Sequence, residues 1–155
     1  EVLGGASTAD AHHITAPAPG GMGAVTCMRL ALEEAGVEPH QISHVNAHGT
    51  STPLNDMAEA VAMTEVFGAG GPLVTSTKGI TGHALGAAGA IEAVAVVLSM
   101  DKGLIPPTAG YATPDPDMPA LDLVTGAPAP WDPGISMSNS FGFGGHNGSV
   151  VLAPA

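Results

Sequence analysis

Basic residues are nearly absent: Lys and Arg number 3 against 14 Asp and Glu, for a formal net charge of −11 at pH 7. Nucleic-acid binding rests on clustered Lys and Arg that displace phosphate counterions. Arg29, Lys78 and Lys102 are too few and too scattered for that, and equally for holding an anionic membrane surface. Aromatic residues make up only 3% of the chain, so rings cannot fill its interior. The single cysteine, Cys27, excludes an internal disulfide and fits a cytoplasmic setting. No apolar run reaches the roughly 18 to 20 residues of a membrane span; the longest, Ala84 to Met100, is interrupted by Glu92 and by glycines. Glu1 to Asp10 has neither the basic start nor the apolar segment of a secretory leader. The opening Glu-Val-Leu-Gly-Gly reads as the middle of a strand, so a fragment of a longer protein is expected. Among 7 histidines none is spaced with Cys or carboxylate partners as zinc ligands are, and no metal is expected.

What the chain does have is 45% apolar residues, many of them small. Its 155 residues suffice for one domain that buries about two thirds of its unfolded surface. Strands are expected at Glu1–Ala6, Ile42–Ala47 and Leu73–Ser76. Helices are expected at Gly23–Ala35, Pro53–Phe67 and Leu85–Met100, the first two stopped by Gly36 and Gly68. On Pro53–Phe67, Met57, Val61 and Val66 form the apolar side; Leu85–Met100 is apolar on nearly every face, which predicts a helix buried all round. His12–Gly21 reads as a loop. After Gly103 come proline-rich loops and three short strands near Leu121–Val124, Ile135–Ser138 and Ser149–Leu152, spaced for antiparallel pairing. Strands alternating with helices make this an α/β layered domain.

Three polar, glycine-bearing clusters each follow a predicted strand: Asn46–Thr52, Ser76–His83 and Asn139–Asn147. The ends of strands are where α/β sheets carry their sites, and the three clusters are expected to converge. His48 and His83 can present an N–H to a developing oxyanion or exchange a proton near neutral pH. Lys78 can fix a carboxylate and bias the charge of the imidazoles. The bland alternatives are a turn histidine, a glycine turn and a solvated lysine.

Asn46-Ala-His-Gly-Thr-Ser-Thr52, Lys78-Gly-Ile-Thr-Gly-His-Ala-Leu-Gly-Ala-Ala-Gly89 and Asn139-Ser-Phe-Gly-Phe-Gly-Gly-His-Asn147, in this order, resemble the C-terminal half of the β-ketoacyl-acyl-carrier-protein synthases, with Pro106-Pro-Thr108 in support. The resemblance covers residues 1–155. It implies a thiolase-like fold, one βαβαβαββ half of a five-layered α-β-α-β-α architecture, in which Leu85–Met100 lies in the central layer and Gly86–Gly89 lets two helices approach. It also implies a decarboxylative Claisen condensation, in which malonyl-carrier protein extends an acyl chain held as a thioester on a cysteine. By motif position, His48 and His83 are the oxyanion donors of that family, Lys78 organises the site, and Glu92 is its buried acidic partner. The Phe143 N–H joins a second oxyanion hole, and its ring gates the acyl chain on hinges at Gly142, Gly144 and Gly145. Thr50 and Thr52 match hydroxyls that hold the phosphopantetheine arm, and Thr15 lines the same channel. His146 stands where many members carry Thr, a variant of actinobacterial relatives.

One departure matters. The family nucleophile lies at a sharp turn in the N-terminal half, whereas Cys27 falls inside a predicted helix with no glycine-rich turn or helix N-terminus to activate it. Cys27 is therefore expected to be structural, and the chain inactive alone. The resemblance implies as partners the acyl carrier protein, the missing N-terminal half and a second subunit in a homodimer, with no cofactor beyond the carrier's own phosphopantetheine. So acidic a chain is not expected to dock the acidic carrier by itself. Fatty-acid elongation is the expected pathway; a polyketide ketosynthase, or a non-catalytic partner resembling a chain-length factor, are the alternatives.

Overall fold

A computed structural model describes residues 1–155. In chain order the elements are β1 (Val2–Ala9), α1 (Met22–Ala35), β2 (Ile42–Asn46), α2 (Pro53–Phe67), β3 (Leu73–Thr75), α3 (Lys78–Thr81), α4 (Ala88–Lys102), β4 (Leu104–Ile105), β5 (Ala129–Pro130), β6 (Ile135–Gly142) and β7 (His146–Leu152). Apart from the short α3 and the β4–β5 ribbon, this is the anticipated β-α-β-α-β-α-β-β order. The main sheet runs β1-β7-β6-β2-β3. Strand β2 is parallel to both β3 and β6, while β7 lies antiparallel between β6 and β1.

Glycine ends two helices as the sequence predicts. Gly36 (φ 65°) follows α1 and Gly68 (φ 73°) follows α2; Gly103 (φ 61°), not among the expected stops, ends α4, and at each of the three a side chain is strained. Helix α1 lays Val25, Met28, Ala31 and Leu32 on one face of the sheet, against Val45, Met137 and Val151, and Ala62, Met63 and Val66 of α2 complete that cluster. At Gly4 the end of α1 comes so close that a Cβ would lie 2.6 Å from the Ala35 nitrogen, which is why β1 carries a glycine there.

Several expectations need correction. Strand β1 runs on to Ala9, because its pairing with β7 continues to Ala9–His146. The Asn139–Asn147 cluster is not a loop: β6 extends through Gly142 and β7 starts at His146, leaving only the Phe143–Gly145 turn between them. Leu121–Val124 forms a single parallel bridge to β3, through Val74 and Leu123, and not an antiparallel strand. Strand β3 has only three residues to pair with. On α2 the buried stripe is Glu59, Ala60, Ala62, Met63 and Val66; Met57 and Val61 are half-buried beside it. The α-helix expected from Leu85 begins at Ala88, after a 3-10 turn.

Helix α4 is not buried all round. Ala88, Glu92, Val96 and Ser99 face inward, whereas Val94 (59% exposed) and Leu98 (54%), with Ile91 and Val97, form an open apolar stripe. Its small entry serves a strand and not a second helix of this chain: a Cβ at Gly89 would sit 3.3 Å from Ser140 Oγ of β6, and Gly86 faces open space. The molecule is thus layered as α1 and α2, sheet, α4. No helix is long and apolar enough to cross a membrane.

Candidate active site

The parallel strands β2, β3 and β6 end side by side, and the sequence places a polar cluster at each end. After β2 the chain must turn sharply. Gly49 takes φ 44°, and a Cβ there would lie 2.6 Å from Ser76. Ser76 Oγ donates to the Gly49 carbonyl at 2.9 Å, which joins the first cluster to the second. Ser51 (φ 61°) and Leu85 (φ 49°), in or just after the first two clusters, hold left-handed conformations unusual for their residue types. Such strain concentrates where geometry is imposed for function.

The histidines meet. The rings of His48 and His83 lie 5.2 Å apart, centroid to centroid, with planes at 83°. Phe141, on β6, stands 5.8 Å from His48 and closes a third side. His48 is buried and His83 open to solvent. His83 Nδ1 accepts the Leu85 N–H at 3.2 Å, so a neutral His83 carries its proton on Nε2, free to donate outward. Burial first, then the charges of Lys78 and His83, push the pKa of His48 down to about 3. At neutral pH, His48 is an uncharged N–H donor and not a proton store.

Lys78 and Glu92 form a buried ion pair, their side chains 5% and 1% exposed. Burial raises the Glu92 pKa, and the bond and charge of Lys78 pull it back. The Lys78 segment is braced from behind by the Pro106-Pro-Thr108 motif: Thr75 Oγ1 donates to the Pro106 carbonyl at 2.7 Å, and the Ser76 N–H donates to Thr108 Oγ1 at 3.1 Å.

Sequence reasoning missed Glu59. This buried carboxylate accepts the His48 N–H at 2.8 Å and the Gly49 N–H at 2.9 Å, one on each oxygen, and so fixes the turn that aims His48. Burial raises its pKa, while those two N–H groups, Asn139 and Asn55 oppose the rise. The signal was present: Glu59 shares the helical stripe of Ala62, Met63 and Val66, where an acid has no reason to be unless it is bonded.

The remaining predicted residues lie as follows. Thr50 and Thr52 share a hydroxyl hydrogen bond of 2.8 Å. Phe143 is 77% exposed, on the turn with Gly144 (φ 81°) and Gly145 (φ 74°), and it stacks on neither imidazole; Gly142 ends β6. Thr15 is exposed and its N–H donates to His13 Nδ1; the neighbouring Ile14 carbonyl accepts the Gly144 N–H at 2.8 Å, which ties that loop to the turn. Asp10 bonds the Asn147 amide at 2.7 Å and the Ala18 N–H at 2.8 Å beneath the same turn. Cys27 lies apart, buried in α1, its S–H donating to the Ala6 carbonyl at 3.3 Å. The arrangement brings two imidazoles from different strand ends together beside a buried lysine.

Residues 1–112 match the family described as Beta-ketoacyl synthase, C-terminal domain. A 3-oxoacyl-[acyl-carrier-protein] synthase 2 of Synechocystis sp. is 47% identical over 155 residues, 99% of this chain and 36% of that protein. Its namesake from Staphylococcus aureus is 46% identical over 154 residues, 98% of this chain and 38% of that one. A beta-ketoacyl synthase from Burkholderia phymatum STM815 superposes with a TM-score of 0.94 at 35% identity, over 99% of this chain and 37% of that chain. A structure described as a type II PKS acyl-carrier protein in complex with its ketosynthase bound to the hexaketide gives 0.94 at 36%, over 99% and 38%. The fold is therefore thiolase-like, and the chain spans little more than a third of the length of the curated relatives it matches.

Proposed function

The chain belongs to the β-ketoacyl synthase C-terminal domain family, and on that premise we propose that it supplies the malonyl-activating side of a decarboxylative condensation whose nucleophilic cysteine lies outside it. In that reaction the bond between the malonyl carboxylate and its α-carbon breaks. Carbon dioxide leaves, and the electron pair becomes an enolate on the thioester oxygen. The α-carbon then attacks the acyl thioester, and the cysteine sulfur departs as thiolate. The hard moment is the charge on the malonyl oxygen. Preorganised donors at such an oxygen each lower the barrier by roughly 3 to 4 kcal/mol.

The observation that carries this reading is the pairing of His48 and His83 at 5.2 Å with perpendicular planes, which suits two N–H groups converging on one oxygen. A His48 pKa near 3 suits it further, because an imidazole that stays neutral stabilises an enolate by donation without protonating and quenching it. Lys78, neutralised by Glu92, sets the local field. Thr50, Thr52 and Thr15 receive the phosphopantetheine arm of an acyl carrier protein. Phe143 and the glycines at 142, 144 and 145 form the mobile wall against the acyl chain, and the Phe143 N–H serves the acyl thioester. The open stripe on α4 packs against the remainder of the protein, which brings the thiol and the basic surface for the carrier; the complete enzyme works as a homodimer.

Release of labelled carbon dioxide from malonyl-carrier protein by the complete polypeptide tests the reading. His48→Ala and His83→Ala should each slow release about 100- to 1,000-fold; unchanged release by both refutes it. The isolated chain should not condense at all.

Relatives named 3-oxoacyl-[acyl-carrier-protein] synthase 2 at 46–47% identity favour fatty-acid elongation as the pathway. A second reading, polyketide synthesis, draws on the ishigamide ketosynthase/chain length factor structure, which is 40% identical with a TM-score of 0.94. Retention of His48, Lys78 and His83 speaks against a silent partner subunit. Products that keep every keto group would favour the polyketide pathway.

A further inference from the structure

Beneath α4, the sheet carries a group of polar side chains that no part of the chemistry above uses. His44 and Ser136 are register partners on β2 and β6, and so share a face of the sheet. Ser140, two further alternations along β6 from Ser136, meets Gly89 of α4, so this is the α4 face. Asn46 follows His44 on the same face, paired with Ser138. Trp131, just after β5, sets its ring against His44 at 5.6 Å in an edge-on arrangement.

His44, Asn46 and Ser136 are each no more than 1% exposed. Neither nitrogen of His44, neither polar atom of the Asn46 amide, nor Ser136 Oγ, nor Trp131 Nε1, has a hydrogen-bond partner in the protein. Buried polar groups in folded proteins are bonded, either to protein or to internal water. These six atoms, on one face of the sheet or on the tryptophan set against it, have no protein partner and so call for internal water.

We infer that the α4 face of the sheet holds a cluster of internal water molecules, bound by His44, Trp131, Ser136 and Asn46, which ties β2 to β6 and to the segment after β5. The chemistry of the four side chains selects the ligand. The Trp131 N–H requires an acceptor, while the unprotonated nitrogen of His44 requires a donor. A cation serves only the second and an anion only the first; water serves both. No carboxylate or ammonium belongs to the four, and the one charged pair on this face, Lys78 with Glu92, is matched within itself. Burial pushes the His44 pKa down to about 4, which keeps its ring neutral, with one nitrogen donating and the other accepting. Because β2 continues directly into the His48 turn, such a cluster sets the floor on which the first histidine is mounted.

This inference rests on the fold and not on the proposed reaction, so its test separates from that one. A high-resolution crystal structure of the complete polypeptide should show at least two ordered waters on this strip, one within hydrogen-bond distance of a His44 nitrogen and one of Trp131 Nε1. In a companion measurement, His44→Phe keeps the ring shape but strands those waters, and should lower the Tm by about 3 °C or more. A dry strip, or an ion in place of water, overturns the inference. So does a Tm that rises with His44→Phe, since removing two orphaned nitrogens from a dry site relieves it.

Discussion

On the side of the central sheet toward α1 and α2, 14 buried apolar residues form one continuous cluster. The side toward α4 is lined instead by His44, Asn46, Ser136 and Ser138, with the Lys78–Glu92 pair reaching in from the helix and the end of β3. The first face resembles the interior of any small α/β domain, apolar but for Glu59 and the hydrogen-bonded Asn139 and Ser149. The second is polar, carries most of the orphaned atoms, and is roofed by a helix whose outer stripe is itself apolar and open. Most of the polar burial thus lies on one side of the sheet, and Glu59, which braces the His48 turn from α2, is the exception on the other.

The sharpest way to break this contrast is at the ion pair. Glu92→Ala leaves the Lys78 ammonium buried without its partner, and removal of one member of a buried pair costs about 3–5 kcal/mol. Chemical denaturation of the complete polypeptide should show that loss together with reduced decarboxylation. A loss below about 1 kcal/mol would mean that Lys78 reaches solvent and that the polar side is wetter than its burial implies.

Met137→Ala addresses the apolar side. Met137 is fully buried, between Val45 and Val151 in the register of the sheet. The expected cost is about 2–5 kcal/mol of stability, with decarboxylation per folded molecule nearly unchanged. A specific loss of activity at full stability would break the contrast between the faces.

A pH titration sharpens the comparison because both perturbed histidines belong to the polar side. Their folded pKa values, about 3 for His48 and about 4 for His44, lie below the ordinary 6.5. Between those limits the unfolded chain binds protons that the folded one does not. Their stabilising contribution is therefore complete above pH 6.5 and is lost as pH falls toward 4. Each histidine contributes a slope of about 1.4 kcal/mol per pH unit. Glu59 and Glu92, whose folded pKa values are raised, act with the opposite sign above the ordinary 4.5. The difference between wild type and His44→Phe isolates one histidine: it should grow by roughly 3 kcal/mol in favour of wild type from pH 4 to 6.5. A flat difference would show that His44 titrates normally.

The same contrast explains what could be read before any coordinates. The strand–helix order was legible because α1, α2 and their strands obey simple periodicities with glycine stops, and these are set by the apolar side. The meeting of His48 and His83 was legible from motifs at strand ends. Leu121–Val124 has strand composition but only one residue of partner, and pairing is a tertiary property that no local pattern carries. Phe141 was passed over in favour of Phe143 because both lie in one Phe-Gly-Phe run, and only the hairpin geometry decides which ring turns toward His48. Glu59 carried no motif of its own, and only the Gly49 turn shows why its oxygens are needed there.

Helix α4 is the instructive miss, and it yields the smallest expected effect. Apolarity on every face predicted burial on every face, yet periodicity cannot say whether the covering surface belongs to the same chain. If the outer stripe is covered only in the complete polypeptide, Val94→Glu with Leu98→Glu should change the stability of the isolated 155-residue chain by no more than about 0.5 kcal/mol. The same pair should abolish self-association and hydrophobic-dye binding by the isolated chain, because an exposed patch of this kind drives both. In the complete polypeptide the two charges would be forced into an apolar contact and should prevent assembly. Equal tolerance in both settings would mean that the stripe is ordinary surface. The polar side of the sheet would then be roofed by one helix alone in the complete polypeptide too, the arrangement that already buries His44 and His48 in this chain.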